Sequence, residues 1–303
     1  MTRCVAAVVL AALCSLSCDR TVPRHGADPI GVILADLDPK LAPLVAQRDS
    51  MIAMLRRDSG TVRADSEFML VRKSFGAAAA AAAKTFNDAA FQAIVLPDSF
   101  GTRPTHRRSD GLPWDATTGA TADSVVAYLE AYGIWTHRGE GDAYFDASET
   151  ALLRWVGPLL TPPTQAFLRF ASLEEEHPPA DDASLMISWD ELGERLARTE
   201  RLLAMYPEAV VHDLIRQRYH WYLRFYLRGA DNSGVFKGRS RRIEPIVRAS
   251  YERYVAKHGA TTSGRLLRGY LDVLRANDYR DGAEVVEFVR ARSGLPEVYL
   301  PRR

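Results

Sequence analysis

Apolar residues recur three and four positions apart through most of this chain, a period that predicts a mainly helical protein. Leu41, Leu44, Val45, Ile52 and Leu55 mark one helix over residues 38–57. A second, longer helix is expected from Val62 to about Val95, with Gly76 and the alanines at 77–83 in its middle and Lys84, Phe86 and Phe91 beyond them. Alanine is the best helix former, and its small side chain lets a neighbouring helix come close. Lys84, Asn87 and Asp88 exclude a membrane span there. Val125, Val126, Leu129 and Tyr132 fall on one face of a shorter helix. The period then changes. Residues 133–138 and 143–145, rich in β-favouring aromatic residues, flank a turn of Gly139, Glu140, Gly141 and Asp142. They read as a β-hairpin. A lone hairpin is marginal in water, so this one must lie on helices.

Beyond the hairpin, start signals punctuate the pattern. Asp146 with Glu149, and Ser188 with Glu191, have the spacing of capping boxes. Thr161 followed by Pro162 offers an N-cap with proline at the first helical position. Helices are expected near 147–156, 162–175, 189–205, 208–227, 244–257, 262–276 and 282–292, with Pro178 and Pro179 breaking the chain between two of them. The stretch from Tyr219 to Leu227 is apolar almost all round. Such a helix reads as the buried centre of a bundle, Trp221 and Phe225 included; the competing reading is an aromatic wall for a glycan or peptide.

The expected organisation is therefore a tether over 18–37, an N-terminal helical region with the hairpin over 38–146, and a C-terminal helical region over 147–303. Residues 97–120 form a long loop rich in Pro, Gly, Asp and Arg, with Trp114 as a candidate anchor. Residues 199–227 repeat weakly at 251–279: Leu202, Leu203, Leu214, Ile215 and Tyr222 fall on Tyr254, Val255, Leu266, Leu267 and Leu274. Each copy is a helix, a short break and a second helix, which resembles a tetratricopeptide-like (TPR-like) helical hairpin. The small-residue signature of that family is largely missing, and residues 229–242 are inserted between the copies.

Composition narrows the function classes. Lys and Arg number 39 against 38 Asp and Glu, so no global field points to nucleic acid. The dense basic cluster is local: Lys237, Arg239, Arg241 and Arg242, with Arg228 close in sequence. On a tethered protein it is a candidate for anionic head groups or a partner, and a solvated loop is the plainer reading. Glu174 and His177, at i, i+3 in an acidic stretch with Asp181 and Asp182 beyond it, share the spacing of a helical metal motif. The motif occurs once where a di-iron bundle needs it twice, so a solvated helix end is expected and no metal is assigned. His212 and His220 lie eight apart, two turns rather than the single turn that chelation wants. No catalytic signature is present: no Gly-x-Ser-x-Gly, His-Glu-x-x-His, Walker loop or dinucleotide fingerprint. No catalytic residue or cofactor is assigned; Glu140 is a candidate acid only through its place on the hairpin turn.

The N-terminus carries the address. Thr2 and Arg3 precede the apolar run from Val5 to Leu13, and small residues Ser15 and Ser17 sit at −3 and −1 of a cut before Cys18. That is a signal-peptide pattern over residues 1–17. A cysteine directly after the cut resembles the lipobox of bacterial lipoproteins, with Ser15 in place of the usual Leu at −3. The resemblance implies acylation of Cys18 and a cell-envelope protein anchored by lipid on the periplasmic or surface face. Asp19 resembles an inner-membrane retention signal, and which membrane is used stays open. All three cysteines, Cys4, Cys14 and Cys18, lie in this leader, so the processed chain would keep one thiol and no internal disulfide. The expectation is a membrane-tethered scaffold or binding module for an envelope protein or glycan. The alternative is a helical peptidoglycan hydrolase with a catalytic carboxylate.

Overall fold

Burial of two long stripes organises the N-terminal half. In the computed structural model, which describes residues 29–96, 119–139, 142–181, 183–238 and 241–300, the chain opens on helix α1, Pro29–Arg57. Ile33, Leu37, Leu41, Leu44, Met51 and Leu55 all lie in its core. The tether expected to reach residue 37 therefore gives way to helix at Pro29, because the apolar period extends upstream through Leu37 and Ile33 despite Pro39 and Pro43. The expected leader, Cys18 and the other cysteines lie outside the described residues, as do Trp114 and all but the last two residues of the loop expected over 97–120, which are helical instead.

A turn at Gly60 (φ 75°) leads into α2, Val62–Phe86, whose N-cap Thr61 accepts from the Ala64 N–H at 3.3 Å. Its buried stripe runs Ala64, Phe68, Phe75, Ala79, Ala82 and Ala83 to Phe86. The single helix expected over 62–95 is two. Asp88 Oδ1 accepts from the Phe91 N–H at 2.8 Å and caps a separate α3, Ala89–Val95. The break turns Phe91 back onto Phe86, their ring centroids 5.0 Å apart.

Helix α4, Gly119–Ala131, precedes the expected hairpin, β1 (Ile134–Gly139) and β2 (Asp142–Ala147), with Trp135 opposite Asp146 and His137 opposite Tyr144. Ile134, Ala143 and Phe145 face inward onto the helices, and Trp135, His137, Tyr144 and Asp146 form the other face. A Cβ on Gly133 (φ 82°) would meet Trp155 at 2.4 Å and Phe75 at 2.9 Å, so only glycine lets the chain enter the hairpin here. Strand pairing through Ala147 keeps Asp146 from capping. The N-cap of α5 (Glu149–Val156) is Ser148 instead, whose Oγ accepts from the Ala151 N–H at 3.1 Å.

Helix α6, Pro162–Glu176, belongs to both halves: Phe167, Leu168 and Ala171 pack into the first core and Phe170 into a second. That second core is built by α7 (Trp189–Met205), α8 (His212–Arg228), α9 (Pro245–His258), α10 (Thr262–Ala276) and α11 (Ala283–Arg292). The two repeat units appear as the successive hairpins α7–α8 and α9–α10, with α7 also against α9. Tyr222, Tyr226, Tyr251 and Tyr270 fill the centre. Their hydroxyls are satisfied, as by Tyr226 with Ser250 Oγ at 2.9 Å and Tyr270 to the Leu227 carbonyl at 3.1 Å. The protein is thus mostly α-helical. Two minimal hairpins that the sequence did not signal, β3–β4 (Ala180–Asp181, Ser184–Leu185) and β5–β6 (Phe236–Lys237, Arg242–Ile243), lie in the connections. Among the described residues no helix is long and apolar enough to cross a membrane.

Candidate functional site

Because α6 is shared by the two cores, its C-terminal end emerges where they meet, and there the surface opens into a cleft of about 590 Å³. One wall is the outer face of the hairpin, with Trp135, His137 and Asp146. Period-two alternation puts Trp135 and His137 on one face, where their rings stack 5.3 Å apart at 30°. Helix α8 contributes Arg218 and Trp221 to the lining. Trp221 stacks on Phe225 one turn on, centroids 4.0 Å apart at 27°. Arg72, Lys73 and Gly76 from α2 and the segment Pro178, Pro179 and Ala180 complete the rim.

The floor is acidic but engaged. Glu174 accepts from the Tyr222 hydroxyl at 2.7 Å and pairs with Arg218 Nε at 2.9 Å. Its side chain is 12% exposed against 45% for Arg218, so the carboxylate faces inward and the guanidinium faces the cleft. Burial pushes the Glu174 carboxyl above its usual range, and Arg218 and the Tyr222 bond pull against that shift. Glu175 lies over the start of α5, accepting from Ser148 Oγ at 3.1 Å, from the Thr150 N–H at 3.0 Å and from the Glu149 N–H. A carboxylate there meets unpaired N–H groups and the positive end of the helix dipole. Burial raises its pKa as well, opposed by those backbone bonds. Glu149 is held by Arg72, through Nε at 3.2 Å and through the second nitrogen of the same guanidinium. At the mouth, His137 Nε2 lies 3.1 Å from Asp181 Oδ1 and ties the hairpin to β3.

This geometry changes several expectations. The acidic stretch at 174–177 is not a solvated helix end, since Glu174 and Glu175 turn inward while His177 is exposed. His177 gives its carbonyl to Arg195 at 2.8 Å, and no group of three candidate metal ligands exists among the described residues. Trp221 and Phe225, expected in the core, are half-buried. Ile215, Tyr222, Leu223, Tyr226 and Leu227 form the one fully buried face of α8, so the helix is packed on that side and lends its aromatic flank to the cleft. His212 sits 3.7 Å from Asp213, and His220, half-buried beside Tyr219, has its pKa lowered by burial and by Arg216.

The basic cluster lies away from the cleft. Arg228 reaches Asp281 at 3.4 Å, Arg241 pairs with the same carboxylate, and Arg242 pairs with Asp278. Lys237 is exposed, and Arg239 and Glu140 fall outside the described residues. The counter-charges come from the α10–α11 connection, some forty residues downstream.

Sequence reasoning missed Arg72, Lys73, Glu149 and Arg218 as parts of a site, and treated Trp135 and His137 only as strand residues. Alternation along the hairpin places the last two on one face; nothing local brings the others to it. Set against known proteins, the chain matches no described family, no curated relative and no solved structure.

Proposed function

We propose that this protein is a lipid-anchored binding module of a bacterial cell envelope, tethered through Cys18 and taking its ligand in the cleft between the hairpin and α8. The tether rests on the leader pattern and the cysteine at its exit. The binding role rests on one observation: Trp135 of the hairpin and Trp221 of α8 line the same cleft, whose three glutamates are already engaged. Carboxylates held this way keep a fixed orientation and can position a ligand, because each is anchored by a guanidinium, a hydroxyl or backbone N–H groups. A site of mixed aromatic and convergent polar groups is the usual form of a ligand pocket.

The hydrolase reading keeps one specific support. Glu174 is a carboxyl with a raised pKa in a cleft that two tryptophans also line, which is where a general acid would stand. Membrane partition and intact mass test the anchor; capture and peptidoglycan release separate the two readings of the cleft. The full-length protein should partition with membranes carrying a modified Cys18, and should capture envelope material that a Trp135→Ala, Trp221→Ala double variant releases. Intact mass showing an unmodified N-terminal cysteine would remove the anchor. Release of soluble fragments from purified peptidoglycan, abolished by Glu174→Gln, would put the hydrolase in the binding module's place.

A further inference from the structure

We infer that the ligand of this cleft is a neutral oligosaccharide, held between Trp135 and Trp221 by stacking and by hydroxyl contacts to the ion-paired floor; the inference rests on the reading of the cleft as a binding site.

The walls come first. Each indole is backed by a second ring, Trp135 by His137 and Trp221 by Phe225, so both platforms are preorganised and lose little freedom on binding. An indole face carries negative quadrupole density. The axial C–H groups of a pyranose, polarised by the neighbouring oxygens, present a flat and weakly positive face that matches it.

The floor decides the charge. Arg72 with Glu149 and Arg218 with Glu174 set donors directly beside acceptors. A hydroxyl both donates and accepts, so a polyol can satisfy both members of such a pair. A ligand of strong net charge would want one sign left over. The lining is close to balanced instead, with Arg72, Lys73 and Arg218 against Asp146 and the three glutamates.

A peptide fits the surroundings less well. Extended peptides gain affinity by adding a strand to a free sheet edge. At β2 the edge groups of Ala143 are taken by the Gln92 amide, which donates to its carbonyl and accepts from its N–H, each at 2.7 Å.

The test is titration of the full-length protein, in a detergent that is not a glycoside, followed by tryptophan fluorescence and calorimetry. The probes are neutral tetrasaccharides of β-linked N-acetylglucosamine, β-linked glucose and α-linked glucose, beside a tetrapeptide of mixed charge. At least one saccharide should bind and quench fluorescence. Its affinity should hold between about 20 mM and about 500 mM NaCl, a range over which exposed charge interactions are heavily screened. Trp135→Ala and Trp221→Ala should each weaken it about tenfold, the order one stacked aromatic supplies, with unfolding midpoints near wild type. Trp221→Phe, which keeps a ring in place, should lose less. Binding of the tetrapeptide alone would overturn the saccharide class and leave the binding module standing. Saccharide binding that collapses with salt would overturn neutrality. Failure of every probe to bind a folded protein would overturn both readings.

Discussion

Tyr222→Phe tests the floor of the cleft with the least disturbance. Tyr222 is fully buried, its ring meets Phe170 edge-on at 5.7 Å, and its hydroxyl donates to Glu174 at 2.7 Å. Phenylalanine keeps the ring and deletes the hydroxyl, and with it the donor to Glu174 and an acceptor for Arg195. A hydrogen bond to a charged group is worth about 1.5–3 kcal/mol. Glu174 retains Arg218, so the expected loss sits at the low end, about 1.5–2 kcal/mol, or roughly 3–6 °C in midpoint for a body of this size. Glu174→Gln and the double variant complete a cycle. Groups in contact couple, so the double should fall short of the sum of the singles by about 1 kcal/mol.

The pH dependence has a definite sign. Burial raises the folded pKa of Glu174 above the ordinary 4.5, so the folded state holds the proton more tightly than the unfolded chain does. The stability this group contributes is therefore fullest below about 4.5 and is lost as pH rises through the raised value. The Tyr222 bond offsets part of that loss only while the carboxyl is ionised. The Tyr222→Phe penalty should then shrink at acid pH toward that of a neutral bond, about 1 kcal/mol. Urea melts of the four proteins at neutral and acid pH read both effects. An additive cycle with a pH-independent penalty would mean that Tyr222 and Glu174 do not act on each other.

Two glycines should respond in opposite directions to alanine. At Gly193 a Cβ would lie 2.9 Å from the Tyr226 hydroxyl oxygen and 3.0 Å from a Tyr254 ring carbon, so Gly193→Ala should cost about 1–3 kcal/mol, whereas Gly76, with nothing within 4 Å, should gain up to about 1 kcal/mol from better helix propensity. Midpoints that shift the same way would refute the close approach of α7 to its neighbours. At the start of α7, Ser188 Oγ accepts from the Glu191 N–H at 3.1 Å, and Ser188→Ala should cost about 1 kcal/mol. The Glu191 carboxylate does not close the box: it pairs with Arg195, whose side chain is 3% exposed. Glu191→Ala should therefore cost more than the serine change, by removing the carboxylate partner of a buried guanidinium that keeps the His177 carbonyl, and equal urea midpoints for the two would count against this.

Local chemistry was enough to place most elements. The helices from α5 to α11 fall within a few residues of where apolar period, N-caps and prolines put them, because those signals act over a single turn of chain. The hairpin was legible for the same reason. Misplaced boundaries came from competition between local signals and burial. Ile33 and Leu37 drew α1 back to Pro29, Asp88 divided the long helix, and strand pairing took Asp146 from its cap. The proposed leader and lipidation at Cys18 rest on sequence alone.

The cleft is another matter. Glu174 and Glu175 look like any acidic helix end until α5 and α8 bring N–H groups, Tyr222 and Arg218 to them. Trp221 and Tyr222 are adjacent in sequence, yet one lines the cleft and the other is sealed in the core. The apolar run of α8 marks an aromatic helix without saying which flank a neighbour covers. Arg72 reaches Glu149 across 77 residues, and Arg241 and Arg242 of the basic cluster meet their counter-charges at Asp281 and Asp278. Period and capping are properties of a few consecutive residues and can be read along a chain, whereas burial and ion pairing depend on which distant segments meet, and only the packing of the two cores on α6 decides that.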